Sequence, residues 1–277
     1  KNAARRETLS IKSFDIKKWG IYDIYICKVC DLHFCREMIE KELNGNSSPV
    51  HEKGINMMEN SFFKTKLIAK NYAEKRINYY ESLLKRKCKN ILDVGCGPGV
   101  FFEPINNLSI EWSGIEVNPH WIKFGKKNNI PILNKKIYEI DKKFDVITAH
   151  QVLEHVEYPT LFLKNIVKRL KPGGILHFEL PNQFSLTSSM RKISPKISQD
   201  FGFIQPPMHL RAYSKKTIKI LLRKHKLQIK KIFTCGNNHY IWGQVRDYTL
   251  FQNFFYSTTN FFNLGSLLIG IAKKDDG

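Results

Sequence analysis

At 277 residues, the chain is long enough for one large domain plus a small appendage, and its 42% hydrophobic and 25% charged residues are ordinary for a soluble globular protein. The opening KNAARRETLS lacks a signal-peptide pattern, and the longest apolar stretch, Leu264–Ala272, is far short of the roughly 20 residues that span a bilayer, so the expected compartment is cytoplasmic. The net charge of +20 favours an anionic partner, yet Lys outnumbers Arg 35 to 10 in scattered positions, a pattern closer to the coding bias of an AT-rich genome than to a dedicated nucleic-acid surface.

Residues 1–60 are irregular in composition and are read as a separate N-terminal module, with residues 61–277 forming the main domain. Ile21–Val29 is β-branched and aromatic, which predicts a strand running into Cys27-Lys-Val-Cys30. Asn44–Pro49 reads as a linker. Ser61 is expected to cap a helix through Leu84, with Phe62, Phe63, Leu67, Ile68, Tyr72, Ile77 and Tyr80 as its apolar positions.

From Lys89 short apolar runs alternate with helical stretches. Strands are expected at Asn90–Val94, Trp112–Val117, Ile130–Leu133, Phe144–Ala149 and Ile175–Leu180, with helices at Pro119–Lys127 and Pro159–Leu170 between them. Lys171-Pro-Gly-Gly174 reads as a sharp stop. A helix at Thr217–His225 and strands at Leu227–Thr234 and Leu264–Lys273 complete the series, around an aromatic insertion near Asn237–Asn263. Apolar strands separated by helices imply an α/β fold, with a mostly parallel seven-stranded sheet covered on both faces.

The segment Ile91-Leu-Asp93-Val-Gly95-Cys-Gly97-Pro-Gly99 is the most informative. Glycines at alternate positions after a strand let the backbone approach a bound molecule with its N–H groups exposed. The next strand ends in Glu116, a carboxylate suited to the two hydroxyls of a ribose. A dinucleotide fold competes for this pattern. The shorter G-x-G-x-G spacing argues against it, as does Asp93, which would repel a pyrophosphate and suits an amino-bearing ligand.

ILDVGCGPG resembles motif I of the class I S-adenosylmethionine-dependent methyltransferases, which have a Rossmann-like fold. Phe144-Asp-Val-Ile-Thr-Ala-His150-Gln151-Val-Leu-Glu154-His155-Val156 and Leu170-Lys-Pro-Gly-Gly-Ile-Leu-His-Phe-Glu-Leu-Pro-Asn182 resemble the family's fourth- and fifth-strand segments. The resemblance covers about residues 62–236, with Leu264–Lys273 matching the closing antiparallel strand. It implies S-adenosylmethionine as cofactor. Gly95, Gly97 and Gly99 would line its methionine portion, Asp93 would lie near its amino group, Glu116 at the ribose, and His150 and Gln151 beside it. The acid that many relatives place after strand three is missing, since Asn134-Lys-Lys-Ile-Tyr138 stands there.

Methyl transfer to a hydroxyl or amine needs alignment and a base, and histidine is the natural base near neutral pH. His155, at the start of the helix after strand four, is a candidate base; its other reading is a packing or capping residue. His209, in Gln205-Pro-Pro-Met-His-Leu-Arg211, is the second candidate. Gln151-Val-Leu-Glu154-His155 resembles a Glu-x-x-Glu-His metal motif of some O-methyltransferases, including ubiquinone-pathway and small-RNA enzymes. Its first acid is replaced by an amide, so no catalytic metal is expected.

Cys27-Lys-Val-Cys30-Asp-Leu-His-Phe34 resembles the second half of a zinc ribbon, read here as degenerate or as truncated, because a chain opening on Lys1 would lack an upstream Cys pair. The six cysteines lack the spacing of a disulfide framework. The aromatic insertion is expected to line a core or an acceptor pocket, with peripheral membrane contact as the alternative. The resemblance implies methyl transfer to a small or medium biosynthetic acceptor, first an oxygen of a sugar or nucleotide sugar. An RNA methyltransferase or a nucleic-acid-binding module using the basic surface is the rival, possible but not favoured.

Overall fold

The computed structural model describes residues 9–16, 20–35, 49–193, 203–204, 209–236, 258–259 and 261–276. Most of the aromatic insertion (237–257 and 260), residues 44–48 of the expected linker and 205–208 of the His209 segment lie outside these. Two sheets make up the architecture. A four-stranded antiparallel sheet joins β1 (Leu9–Ile16), β2 (Gly20–Cys27), β3 (His33–Cys35) and β9 (Arg211–Ala212) in that order. A seven-stranded sheet contains β4 (Asn90–Val94), β5 (Glu111–Glu116), β6 (Ile132–Asn134), β7 (Phe144–His150), β8 (Leu170–Pro181), β10 (Leu227–Cys235) and β11 (Leu267–Lys274). Its order is β10-β11-β8-β7-β4-β5-β6, parallel except for β11, which runs antiparallel to β8 and β10. This is the expected Rossmann-like sheet.

Both faces are covered, which explains why β4 and β7 are buried almost without interruption. On one face lie α1 (Pro49–Leu84), α2 (Phe102–Asn106) and α3 (Pro119–Lys127), contributing Phe62, Ile77, Tyr80 and Ile105 to a cluster with Ile91, Val146 and Ile271. On the other, α4 (Pro159–Arg169) and α6 (Lys215–Lys224) bury Leu163, Ile166, Ile218 and Leu222 against Leu92, Ile147 and Leu176. Each such side chain removed from water stabilises by about 1.5–3 kcal/mol. A further helix, α5 (Leu186–Ile193), follows β8.

Three expectations are corrected. The first helix begins at Pro49, a residue whose fixed φ and missing N–H suit a helix start, and Ser61 lies inside it with its Oγ donating to the Met58 carbonyl at 3.2 Å. The boundary at residue 60 therefore cuts a continuous helix. The N-terminal strands are also not self-contained, because β9 from the main domain completes their sheet. Finally, Lys171-Pro-Gly-Gly174 does not precede the strand but lies within β8: Leu170 already pairs with Phe144, and the register shifts between Phe144 and Val146. Gly173, at φ +66°, absorbs the bend.

Candidate functional site

β4 ends at Val94, and the chain closes back on β5 through Gly95 N–H and Cys96 N–H, both donating to the Ile115 carbonyl at 2.8 and 3.2 Å. Gly95, Gly97 and Gly99 have φ of +65°, +53° and +71°, a region where a Cβ costs energy. A Cβ at Gly95 would stand 2.6 Å from Val152 Cγ2, and one at Gly99 2.7 Å from Ile130 Cγ2. At Gly97 it would meet only Met58 Cε, at 3.5 Å, so this position opens onto a cleft overhung by α1. Glu116 braces the loop: its carboxylate accepts from Gly97 N–H at 3.0 Å, Val117 N–H at 2.7 Å and Asn118 N–H at 3.0 Å.

Strand register then gathers polar groups on one face of the sheet under α1. Asp93 pairs with Thr148, Thr148 with His177 and His150 with Glu179. Thr148 Oγ1 donates to Asp93 Oδ1 at 2.6 Å. α1 contributes Arg76, only 3% exposed, whose guanidinium lies 4.1 Å from the Phe101 ring centre. It also contributes Tyr80, whose hydroxyl is 2.5 Å from His177 Nδ1. The His177 and His150 rings meet edge to face at 4.7 Å.

Burial dominates the protonation of this face. It raises Asp93 to about 6, against the Thr148 hydrogen bond and the Arg76 charge, which pull down. It raises Glu179 to about 7, against the Gln151 hydrogen bond and Arg76. Burial and then Arg76 lower His150 to about 3, so that imidazole is neutral. Its Nε2 is buried without a hydrogen-bond partner among the described residues. Gln151 follows in the left-handed region at φ +54°, with its N–H on the Glu179 carbonyl at 2.7 Å and its Nε2 on Glu179 Oε1 at 3.3 Å. A strained non-glycine residue at a strand end marks a position fixed by its surroundings.

Beyond Gln151, the turn before α4 carries Glu154 and His155. Leu210 N–H and Arg211 N–H donate to the Glu154 carbonyl at 3.1 and 3.2 Å, docking the His209 segment on this turn. Arg211 reaches the Val156 carbonyl at 2.9 Å, and the Tyr213 hydroxyl reaches that of Leu153 at 3.1 Å. The His155 and His209 rings stand 4.8 Å apart. Glu154 is buried with neither carboxyl oxygen hydrogen-bonded among the described residues, and burial pushes it up to about 8, Glu179 adding to the rise. One ligand-type atom from each of Glu154, His155 and His209 lies within 4.8 Å of the others, a set that could hold one metal ion. His209 Nδ1 is 3.0 Å from the Phe203 carbonyl, which can only accept. Nδ1 therefore carries the proton, and Nε2 offers the lone pair.

Known proteins resemble this chain in sequence and fold. The family described as Methyltransferase domain matches residues 67–231. The chain belongs to the class I S-adenosylmethionine-dependent methyltransferases. Among its relatives, the mitochondrial ubiquinone biosynthesis O-methyltransferase of Schizosaccharomyces pombe is 34% identical over 110 residues, covering 35% of this chain and 40% of that protein. The ubiquinone biosynthesis O-methyltransferase of Coxiella burnetii is 31% identical over 121 residues, covering 39% and 50%. The chain thus spans half or less of the length of these curated relatives. In fold it is similar to the plantazolicin methyltransferase BpumL in complex with SAH, with a TM-score of 0.56, 20% identity and coverage of 83% and 91%. A SAM-dependent methyltransferase from Archaeoglobus fulgidus is also similar, with a TM-score of 0.51, 21% identity and coverage of 74% and 94%.

The methyltransferase's cleft fits its cofactor on chemical grounds. A carboxylate at Asp93 and a buried guanidinium at Arg76 face each other where a zwitterionic amino-acid end would lie. Gly97 leaves room, and Glu116 stands on the adjacent strand. Asp93, Gly95, Gly97, Gly99, Glu116, His150 and Gln151 are brought together as the sequence suggests, and His155 and His209 meet although they are distant in the chain. His155 does not cap α4, whose N-cap is Tyr158. Gln151 turns to Glu179. Arg76, Tyr80, His177 and Glu179 were not singled out from sequence. Glu179 stands in β8, and a carboxylate in a largely apolar buried strand is the signal that could have found it.

Proposed function

We propose that the protein transfers a methyl group from S-adenosylmethionine to an oxygen of a small or medium-sized biosynthetic acceptor. The observation that carries this reading is the meeting of Glu154, His155 and His209 beside the glycine loop at the C-terminal edge of the parallel strands, where open α/β sheets take ligands. S-adenosylmethionine supplies, when bound, a methyl group on a sulfonium that departs as a neutral thioether. Arg76 and Asp93 would hold its amino-acid end and Glu116 its ribose, while neutral His150 would wall the cleft without adding charge. His209 Nε2, with Nδ1 oriented by the Phe203 carbonyl, would take the acceptor's hydroxyl proton. The names of the relatives direct the acceptor screen first to ubiquinone-biosynthesis intermediates, with nucleotide sugars beside them.

A second reading of the trio is a divalent-metal site with three protein ligands and open positions for the acceptor oxygen. Calorimetry with S-adenosylmethionine, followed by the acceptor screen on chelator-dialysed and metal-supplemented protein, separates the two. The base reading expects activity that survives dialysis, and a His209→Asn variant with kcat lowered about 100-fold or more but cofactor affinity unchanged. Activity lost on dialysis and restored by metal favours the second. No cofactor binding by the folded chain overturns both.

A further inference from the structure

The net charge of +20 is not spread evenly over the molecule. None of the 25 Asp and Glu residues lies in 158–178 or 209–236, and these two stretches carry 13 Lys and Arg. They contain α4 and α6, which lie side by side on the sheet face opposite α1, with their seam lined by Phe162, Leu163, Ile218, Leu221 and Leu222. A coding bias that enriches Lys does not remove Asp and Glu, so it leaves this exclusion unexplained.

Local electrostatics oppose the arrangement. A helix N-terminus favours an acid, yet neither helix has one in its first turn, and α6 opens on Lys215 and Lys216. Lys216 is taken up by Asp31 at 3.3 Å. Among the described residues, Lys164 and Lys168 on α4, and Lys219, Arg223, Lys224 and Lys226 on or just after α6, have no ion-pair partner. All six reach solvent, Lys219 only partly. Like charges gathered in this way repel one another, and an anionic partner relieves the repulsion.

Two aliphatic side chains stand among these cations: Leu161 is 55% exposed and Ile220 41% exposed. Helical spacing puts residues 161, 164 and 168 on one face of α4, and residues 216, 219, 220 and 223 on one face of α6. A nucleic acid rewards bidentate Arg over Lys and offers little to an exposed Leu or Ile. A bilayer rich in acidic phospholipid takes both kinds of group, the cations at its headgroups and the aliphatic side chains at the acyl boundary. No helix among the described residues is long and apolar enough to cross a membrane, so α4 and α6 can engage a bilayer only from its surface.

We propose that the exposed face of α4 and α6 docks the protein on anionic phospholipid bilayers, with Leu161 and Ile220 entering the interface between the headgroup-bound cations. The turn carrying Glu154 and His155 runs into α4, and the segment carrying His209 runs through β9 into α6. Docking therefore sets the candidate acceptor site at the rim of the contact. That last link rests on the proposed methyl transfer, whereas the docking itself does not.

The test sediments the full chain with vesicles of phosphatidylglycerol mixed with phosphatidylcholine, and with vesicles of phosphatidylcholine alone. Binding to the mixed vesicles is expected to be at least about tenfold tighter and to weaken as salt rises. Each cation at an anionic surface contributes about fivefold, so Lys219→Gln/Arg223→Gln/Lys224→Gln is expected to weaken binding about 100-fold. Lys123→Gln/Lys126→Gln/Lys127→Gln removes the same charge from α3 on the other face and is expected to change binding about twofold or less. Leu161→Gln/Ile220→Gln is expected to weaken it about tenfold. Urea midpoints close to the parent's show that each variant is folded. The proposal is overturned by equal affinity for the two kinds of vesicle, by equal losses from the two triple variants, or by an aliphatic double variant that binds like the parent. An RNA oligonucleotide that strips the chain from the mixed vesicles at equal charge concentration overturns it in favour of a nucleic-acid partner.

Discussion

Gly95→Ala isolates what the glycine loop contributes. An alanine at φ +65° costs about 1 kcal/mol in backbone strain. Its Cβ would also lie 2.6 Å from Val152 Cγ2 and 3.7 Å from Cγ1, and Val152 sits in the turn that leads to Glu154. Overpacking of this kind adds about 1–3 kcal/mol, for a total of about 2–4 kcal/mol. Once Val152 is truncated, its Cβ remains at an ordinary 3.8 Å. The double variant Gly95→Ala/Val152→Ala is therefore expected to recover the steric part and keep the backbone part, with a coupling of about 1–3 kcal/mol in a double-mutant cycle. Urea unfolding followed by tryptophan fluorescence gives the four stabilities, and calorimetry the four affinities for S-adenosylmethionine. Gly97→Ala is the contrast: with only Met58 Cε at 3.5 Å, it is expected to cost about 1 kcal/mol in stability while its methyl group enters the cleft and weakens binding about tenfold or more. A cycle that proves additive, or a Gly95→Ala protein as stable as the parent, would refute the contact between the loop and Val152.

Three further variants test the surroundings. Asp145 is wholly buried and accepts from Lys89 N–H at 2.8 Å and Asn90 N–H at 3.2 Å, with Lys171 at 3.0 Å and Arg86 at 2.5 Å. Asp145→Asn turns one side of that acceptor into a donor facing donors, and is expected to lower the urea-derived stability by about 2–4 kcal/mol, with the half-exposed cations regaining water. Burial acts to raise Asp145, but the Lys89 amide and the two cations outweigh it and depress it below 3.8. Its contribution is therefore fully present above pH 3.8 and is lost as pH falls through the depressed value, so the difference between parent and variant should shrink on acidification. Arg76→Met removes the cation from between Asp93 and Glu179 and is expected to weaken S-adenosylmethionine binding about tenfold or more by calorimetry, with Arg76→Lys intermediate. Glu116→Ala removes an acceptor for two charge-assisted hydrogen bonds of about 1.5 kcal/mol each, so the dissociation constant should rise about 100-fold.

What was legible in the sequence depended on whether neighbours in the chain or neighbours in space decided it. Asn90–Val94, the glycine loop and Glu116 are contiguous, and each residue's demand is local, so strand, turn and acid could be read in order. The first helix was legible as a helix, but its face was not. Periodicity assigned Phe63 and Leu67 inward, whereas they are 73% and 61% exposed and the charged Arg76 is buried. No hydrophobic pattern places an arginine inside, because its burial is favourable only in the company of Asp93 and Glu179 from two other strands. β3 and β9, of three and two residues, exist through their pairing with each other and with β2, and carry too few side chains to signal a strand. Glu154, His155 and His209 likewise acquire meaning only when Leu210 and Arg211 dock on the Glu154 carbonyl. Among the residues that break local rules are Arg76 among apolar side chains, Gln151 at positive φ and Glu154 with a buried carboxyl. All three gather around the glycine loop and the turn that follows β7. Positive-φ residues such as Lys85, Asn129 and Lys226 close ordinary turns elsewhere, whereas these three meet at the ends of the parallel strands, where an open α/β sheet takes its ligand, and there a binding role accounts for a local cost that folding alone does not require.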